Sequence, residues 1–264
     1  MGVTTQITLS QAQALFQEFP LSSLTPTEDG VMDTTYILKE YILKYFERDV
    51  SKKISQEHLL LKKLHQAGLR VPLPLANAEG WYLYTRLQGS QPKTTKSYHI
   101  QALARFLAKM HTVTSKETQM YSRVFLEEYA FDKLLKETKR SYFAYYKKLE
   151  TLQEFTMQKD GFIHGDIFKD NTLFHGQKLA VIDFIDGGLG SFTLDIAVAL
   201  VAFNPHQRRS YTQLFLQTYN QNAPQKVSLQ ALQTEIKIAA KIYALLRIHK
   251  YKNPQKAKLL ANLW

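Results

Sequence analysis

With 264 residues, 45% hydrophobic and 22% charged, the chain can bury a large core as one two-lobed domain or two modest ones, and its composition is that of an ordinary globular protein. It has no cysteine, which excludes disulfides, thiol catalysis and thiolate metal sites. No stretch approaches the roughly 18 apolar residues of a spanning helix, and the opening MGVTTQITLSQAQALFQEF lacks a basic region followed by a long apolar one, so a soluble cytoplasmic protein without a membrane partner is expected. The net charge of +11 is spread over most segments, which points to a solvated basic surface and not to a nucleic-acid arm.

Ser10 is placed to cap a first helix over residues 11–19, which Pro20 ends. Residues 24–28, 32–39 and 41–47 then read as three strands, punctuated by Asp29-Gly30 and Lys39-Glu40, and predict a small antiparallel sheet. The first turn holds the single glycine Gly30 and no G-x-G-x-x-G, so its own residues do not mark a phosphate-covering loop. In the third strand, alternation puts Ile42, Lys44 and Phe46 on one face and Tyr41, Leu43 and Tyr45 on the other. A lysine among apolar neighbours is poised to meet a phosphate as a point charge; a solvent-facing lysine at a sheet edge is the alternative.

A helix follows over residues 53–67, with Leu60, Leu61 and Leu64 apolar and Gly68 as its stop. Its Glu57 is a candidate ion-pair partner for Lys44, or a glutamate favoured near a helix start by the dipole alone. Val71-Pro72-Leu73-Pro74 reads as an extended connector and residues 81–87 as an apolar strand. The turn-rich residues 88–96 read as a hinge, dividing an N-terminal lobe (1–87) from a C-terminal lobe (97–264). From Ser97 the period becomes helical: Ile100, Leu103, Ala104, Leu107, Ala108 and His111 share a face, with His111 near the helix end. Residues 125–155 interleave aromatic and basic side chains, a pattern open to single-stranded nucleic acid but expected of a helical core face.

Most of the chemistry lies in residues 161–197, GFIHGDIFKDNTLFHGQKLAVIDFIDGGLGSFTLDIA. His164, Asp166 and Asn171 stand in the order H-x-D-x-x-x-x-N. An apolar strand, Leu179 to Ile182, then runs into Asp183, and Asp195 opens a helical pattern. Phosphoryl transfer needs a carboxylate to orient the attacking hydroxyl and take its proton, and hard oxygen ligands for magnesium. Asp166 suits the first task, Asn171 and Asp183 the second. His164 suits a structural role better than proton transfer. Asp195 is either a helix-start residue favoured by the dipole or also an acceptor for the loop backbone. A plain β-hairpin, with these Asp and Asn residues as turn formers, is the alternative that the joint spacing disfavours.

Residues 206–219, 229–251 and 257–264 read as helices. In the second of them Ile236, Ala239, Ala240, Tyr243, Leu246 and Arg247 form a face suited to a substrate cleft. Arg247 there is either a surface arginine or the planar fork for a substrate carboxylate.

On the run from His164 to Phe174 and the helix start Asp195 to Leu200, the chain resembles the aminoglycoside phosphotransferase and choline kinase superfamily, small-molecule kinases with a protein-kinase-like fold. Within it the chain is similar to the homoserine kinases of that fold, a similarity that extends to its opening residues, to Met32-Asp33-Thr34-Thr35-Tyr36, to residues 41–48 and to residues 244–247. It departs from them in the glycine-poor turn before Thr35 and at Ile185-Asp186-Gly187-Gly188, where an aromatic segment is usual.

The resemblance implies an α+β fold, with a small antiparallel β lobe and a larger, mainly helical lobe. It implies ATP and Mg2+ as cofactors, Lys44 on the α and β phosphates steadied by Glu57, and an adenine edge met by the backbone of Thr85 to Leu87. Asp166 would be the catalytic base, Asn171 and Asp183 the metal ligands, and His164 and Asp195 supports. The implied partner is a small-molecule amino acid or amino alcohol, and the implied reaction is L-homoserine to O-phospho-L-homoserine, a step of threonine biosynthesis. Other acceptors of the superfamily (choline, ethanolamine, an aminoglycoside or a sugar) and a catalytically silent nucleotide-binding scaffold are the remaining readings.

Overall fold

The computed structural model describes residues 3–27, 33–115, 118–124, 131–249, 257 and 260. The Asp29-Gly30 turn, part of the basic aromatic stretch and nearly all of the expected last helix therefore lie outside the described residues. The fold is α+β. The chain forms two compact units, Met1–Gly89 with Ala180–Ile185, and Ser90–Leu179 with Asp186–Trp264.

The first unit opens on helix α1 (Leu9–Leu15), capped by Thr8 and not by Ser10: Thr8 and Gln11 bond each other's backbone amides reciprocally, the spacing of a capping box. A five-stranded antiparallel sheet follows, ordered β1-β2-β3-β5-β4, from β1 (Thr25–Pro26), β2 (Thr34–Ile37), β3 (Tyr41–Tyr45), β4 (Pro74–Ala78) and β5 (Trp81–Thr85). The expected connector thus continues into a strand. β4 joins β5 through Glu79 and Gly80, both at positive φ (50° and 82°), as a two-residue hairpin requires. A side chain at Gly80 would also meet the Tyr45 ring at 2.9 Å. Proline, two alanines and Asn77 give PLANA little strand propensity, which hides this strand from a sequence reading.

Phe16, Leu38, Leu43, Trp81 and Leu83 form the core between α1 and the sheet. Each of the three leucines is fully buried, worth about 1.5–3 kcal/mol apiece as an upper estimate. Helix α2 (Ser51–Gln66) buries Ile54, Glu57, Leu60, Leu61 and Leu64 at three- and four-residue steps. It stops at Gly68, whose φ is +80°: Gly68 N–H donates to His65 O and Leu69 N–H to Leu64 O, the paired bonds of a Schellman end. Ile185, far along the chain, packs with Phe46, Val50 and Ile54.

The second unit is mainly helical, with α3 (Ser97–Thr114), α4 (Phe131–Ser141), α5 (Phe143–Leu149), α6 (Phe192–Phe203), α7 (Arg209–Asn220) and α8 (Leu229–His249). Helix α6 is buried around nearly its whole circumference, as befits the central element of a helical core. It packs on α8, while α3 packs on α7. Strands β6 (Gly161–Ile163) and β9 (Gly188–Gly190) pair antiparallel. β7 (Thr172–His175) and β8 (Lys178–Val181) form a hairpin. In the basic aromatic stretch Tyr146 is buried while Tyr142 and Phe143 are exposed.

Candidate active site

In the first unit, strand β3 carries Lys44 opposite Tyr82 of β5. Its ammonium donates to Asp183 Oδ1 at 2.8 Å, lies 3.5 Å from Asp33 Oδ2 and sits 4.7 Å from the Phe46 ring centre. Burial by itself pulls the lysine pKa down, but Asp183 and then Asp33 outweigh it, with a smaller share from Glu57, so the pKa is raised and Lys44 stays charged. The leading carboxylates at Lys44 are therefore Asp183 and Asp33, whereas the sequence singles out Glu57. Glu57 is buried and accepts a hydrogen bond from the Tyr84 hydroxyl at 3.1 Å, which engages it on the β5 side. Burial and the Glu57 charge push the Tyr84 phenol pKa up, so it remains a neutral donor.

Asp183 lies two residues beyond β8, with a φ of +68° and a side chain 42% exposed. A left-handed non-glycine residue costs of the order of 1 kcal/mol, and aspartate, like asparagine, is among the residues that tolerate it. At the end of β5, the Thr85 N–H donates to Leu73 O and its hydroxyl accepts from Leu73 N–H. The Arg86 N–H goes to Glu40 O. The backbone N–H groups of Thr85 and Arg86 are thus taken by Leu73 and Glu40.

In the second unit, the loop from β6 to β7 carries His164, Asp166 and Asn171. Asn171 Nδ2 donates to Asp166 O at 2.8 Å and to Asp166 Oδ2 at 3.1 Å. This commits the nitrogen end of the amide to the aspartate and leaves its oxygen, a hard donor, as the end suited to a cation. His164 is buried, and its Nδ1 accepts from the Asp166 N–H at 3.3 Å, so the ring shapes the loop. Gly165 needs its φ of +73°, since any side chain there would be strained.

The loop backbone is tied from behind. Asp195, fully buried in the first turn of α6, accepts from Gly165 N–H at 2.8 Å through Oδ1 and from His164 N–H at 3.1 Å through Oδ2. Ser191, not Asp195, is the cap of α6. On α8 the Tyr243 hydroxyl donates to Gly165 O, the Tyr243 ring lies 4.8 Å from that of Phe168, and the Arg247 guanidinium stands 5.8 Å from the Phe168 ring centre. Arg247 thus sits beside the loop, on the helix face the sequence suggested.

Tyr84 and Tyr219 escape the sequence reading, and Asp33, His111 and Tyr243 appear there only as members of a motif or a helix face, with no polar role. Apart from Asp33 these are aromatic or histidine residues at ordinary core positions, and their polar atoms find partners only through tertiary packing.

The sequence model of the phosphotransferase enzyme family matches residues 23–229. The homoserine kinase of Polaromonas naphthalenivorans is 25% identical over 228 residues, 76% of this chain and 72% of that protein. The homoserine kinase of Sinorhizobium fredii is 26% identical over 240 residues, 80% of this chain and 73% of that one. Among solved structures, a macrolide 2′-phosphotransferase from Brachybacterium faecium superposes with a TM-score of 0.70 at 15% identity, covering 97% of each chain. An amicoumacin kinase in complex with AMP-PNP and calcium superposes with a TM-score of 0.68 at 18% identity, covering 96% of this chain and 92% of the other.

Proposed function

Because the chain belongs to the phosphotransferase enzyme family and is a phosphotransferase with an alcohol group as acceptor, we propose that it transfers the γ-phosphoryl group of MgATP to the side-chain hydroxyl of L-homoserine. The products are O-phospho-L-homoserine and ADP. The observation that carries the reading is the Asp166–Asn171 pair: a carboxylate held by an amide whose oxygen remains for a cation.

Asp166 orients the acceptor hydroxyl and takes its proton as the new O–P bond forms and the bond to the β-phosphate oxygen breaks. Asn171 and Asp183 are the proposed magnesium ligands, and an amide oxygen with a carboxylate suits that ion. When bound, magnesium neutralises the charge on the phosphate oxygens. Lys44, kept charged by Asp183 and Asp33, meets the α and β phosphates, and Glu57 supports it. The N-terminal lobe (1–87) holds the nucleotide, with the backbone of Thr85 to Leu87 at the adenine edge; residues 88–96 act as the hinge, and residues 97–264 carry catalysis and the acceptor. His164 and Asp195 hold the loop. Arg247 takes the acceptor carboxylate through its fork, and its place beside Phe168 supports that role. The names of the sequence relatives favour homoserine as acceptor.

The test is ADP release from purified protein with MgATP against L-homoserine, L-serine, L-threonine, choline, ethanolamine and kanamycin, with Asp166→Asn as control. Homoserine-dependent release that the variant lacks is the expected result. Release with another acceptor replaces the substrate and keeps the mechanism, and nucleotide binding with no release on any acceptor refutes the homoserine assignment.

A further inference from the structure

Helices α6, α7 and α8 enclose a cavity of about 360 Å³ that no step of the proposed reaction uses. Its floor is apolar: Leu200 and Val201 of α6, both buried, with Leu229 and Ile236 of α8. The cavity lies away from the catalytic loop. Asp195, which meets that loop, sits in the first turn of α6, whereas Asn204 lines the cavity at the C-terminal end of the same helix. At about 100° and about 1.5 Å per residue, Asn204 stands half a turn round from Asp195 and about 13 Å further along the axis.

Two cations line this cavity, Arg209 in the first turn of α7 and Lys237 of α8, both exposed to solvent. Among the described residues no carboxylate lines it, and neither cation is in an ion pair. Two like charges over one apolar floor repel each other, and an anion in the cavity relieves that repulsion. The corner that presents Arg209 is built firmly. Asn204 Nδ2 donates to Arg208 O at 3.0 Å, and its Oδ1 accepts from Arg208 N–H at 2.9 Å. The Gln207 N–H donates to Asn204 O at 2.9 Å. The wall is therefore preformed, as in most small-molecule sites.

Charge and shape together select the ligand. An inorganic anion alone would leave the apolar floor wet, and an uncharged apolar molecule would leave both cations unmatched. The volume lies at the small end of the roughly 300–1,000 Å³ usual for small-molecule pockets.

We propose that the cavity between α6, α7 and α8 is a second binding site, separate from the phosphoryl-transfer site, for a small organic acid. Its carboxylate or phosphate head meets Arg209 and Lys237, and its apolar body lies on Leu200, Val201, Leu229 and Ile236. The proposal does not rest on the kinase reading.

The test is calorimetric titration of the full-length protein with phenyl phosphate, in saturating AMP-PNP and magnesium so that the nucleotide site is occupied. Phenylacetate offers a carboxylate head on a similar body, while inorganic phosphate and phenol offer the head and the body alone. Phenyl phosphate is expected to bind one-to-one with a Kd of about 1 mM or tighter, and phosphate and phenol at least about tenfold more weakly. Arg209→Gln and Lys237→Gln, at exposed positions where folding tolerates the change, should each weaken phenyl phosphate about tenfold, as loss of a charge-assisted hydrogen bond does. Arg247→Gln, at the proposed acceptor site, should leave the affinity within about twofold.

Absence of saturable binding by both phenyl phosphate and phenylacetate up to about 10 mM would overturn the proposal. Binding that Arg209→Gln and Lys237→Gln leave intact, or that Arg247→Gln abolishes, would place the ligand elsewhere and overturn it too. Inorganic phosphate binding as tightly as phenyl phosphate would refute the apolar floor.

Discussion

Replacement of Asp195 by asparagine exchanges one oxygen of a buried carboxylate for an NH2 group and tests whether the loop is held as described. The carboxylate accepts Gly165 N–H at one oxygen, and His164 N–H and His111 Nε2 at the other. An amide retains only one acceptor oxygen. In its better orientation that oxygen keeps the two bonds from His164 and His111, while the new NH2 faces the Gly165 N–H, donor against donor. One bond to a charged acceptor is lost, and a buried N–H is left unpaired. Each such loss costs about 1–3 kcal/mol, so Asp195→Asn should destabilise the fold by about 2–4 kcal/mol. For a unit of this size that lowers Tm by roughly 5–15 °C. Asp195→Ala strands all three donors and should remove most of the 5–15 kcal/mol typical of a folded domain. Urea unfolding followed by far-UV circular dichroism measures the difference, and kcat below the transition measures the loop. An Asp195→Asn protein with the parent's midpoint and the parent's kcat would refute the account of the loop.

Asp166→Asn should leave the unfolding midpoint near that of the parent and reduce acceptor-dependent ADP release by about 10²–10⁴-fold, the usual worth of a positioned base; substantial turnover would remove Asp166 from that role. Lys44→Met removes a charge-assisted contact to phosphate, so MgATP affinity measured by calorimetry should fall by about ten- to hundredfold, and an unchanged affinity would show that Lys44 serves only Asp183 and Asp33. Glu47 accepts hydrogen bonds from the Thr34 hydroxyl at 2.6 Å and from Thr5 N–H and Oγ1, and the Thr34 bond leads in holding its pKa below the usual 4.5. A depressed folded-state pKa contributes stability above the ordinary carboxylate range that is lost as pH falls through the folded value. Glu47→Gln should therefore be less stable than the parent at pH 7 and converge with it in strong acid, and parallel midpoint curves at all pH would refute the clamp.

The α+β class and the main helices are legible in the sequence because they rest on local physics. The period of α3 is carried by Ile100, Leu103 and Leu107, and α2 ends on a glycine whose positive φ no other residue adopts as readily. The loop motif is legible for a similar reason: a turn that brings Asn171 back onto Asp166 needs both within a few residues, so its spacing survives in linear form. α1 illustrates the limit of such signals, since Ser10 and Thr8 are both acceptable caps and only the Gln11 side chain bonding back to Thr8 decides between them. β4 is not legible because its residues carry little strand propensity, although their burial alternates in the folded sheet.

Tertiary structure alone decided which carboxylates face Lys44. Asp183 lies 139 residues away in sequence, and its approach depends on Ala180–Ile185 joining the first unit. Asp33 stands 3.5 Å from the Lys44 ammonium, while Glu57, which accepts from Tyr84, adds a smaller share to keeping it charged. His111, Asp195 and Tyr219 likewise come from three helices, and their hydrogen bonds are set by packing. Local geometry is written in neighbouring residues. Partner choice among buried polar groups depends on which long-range approach leaves the fewest of them unpaired, and that is determined only when the chain has folded.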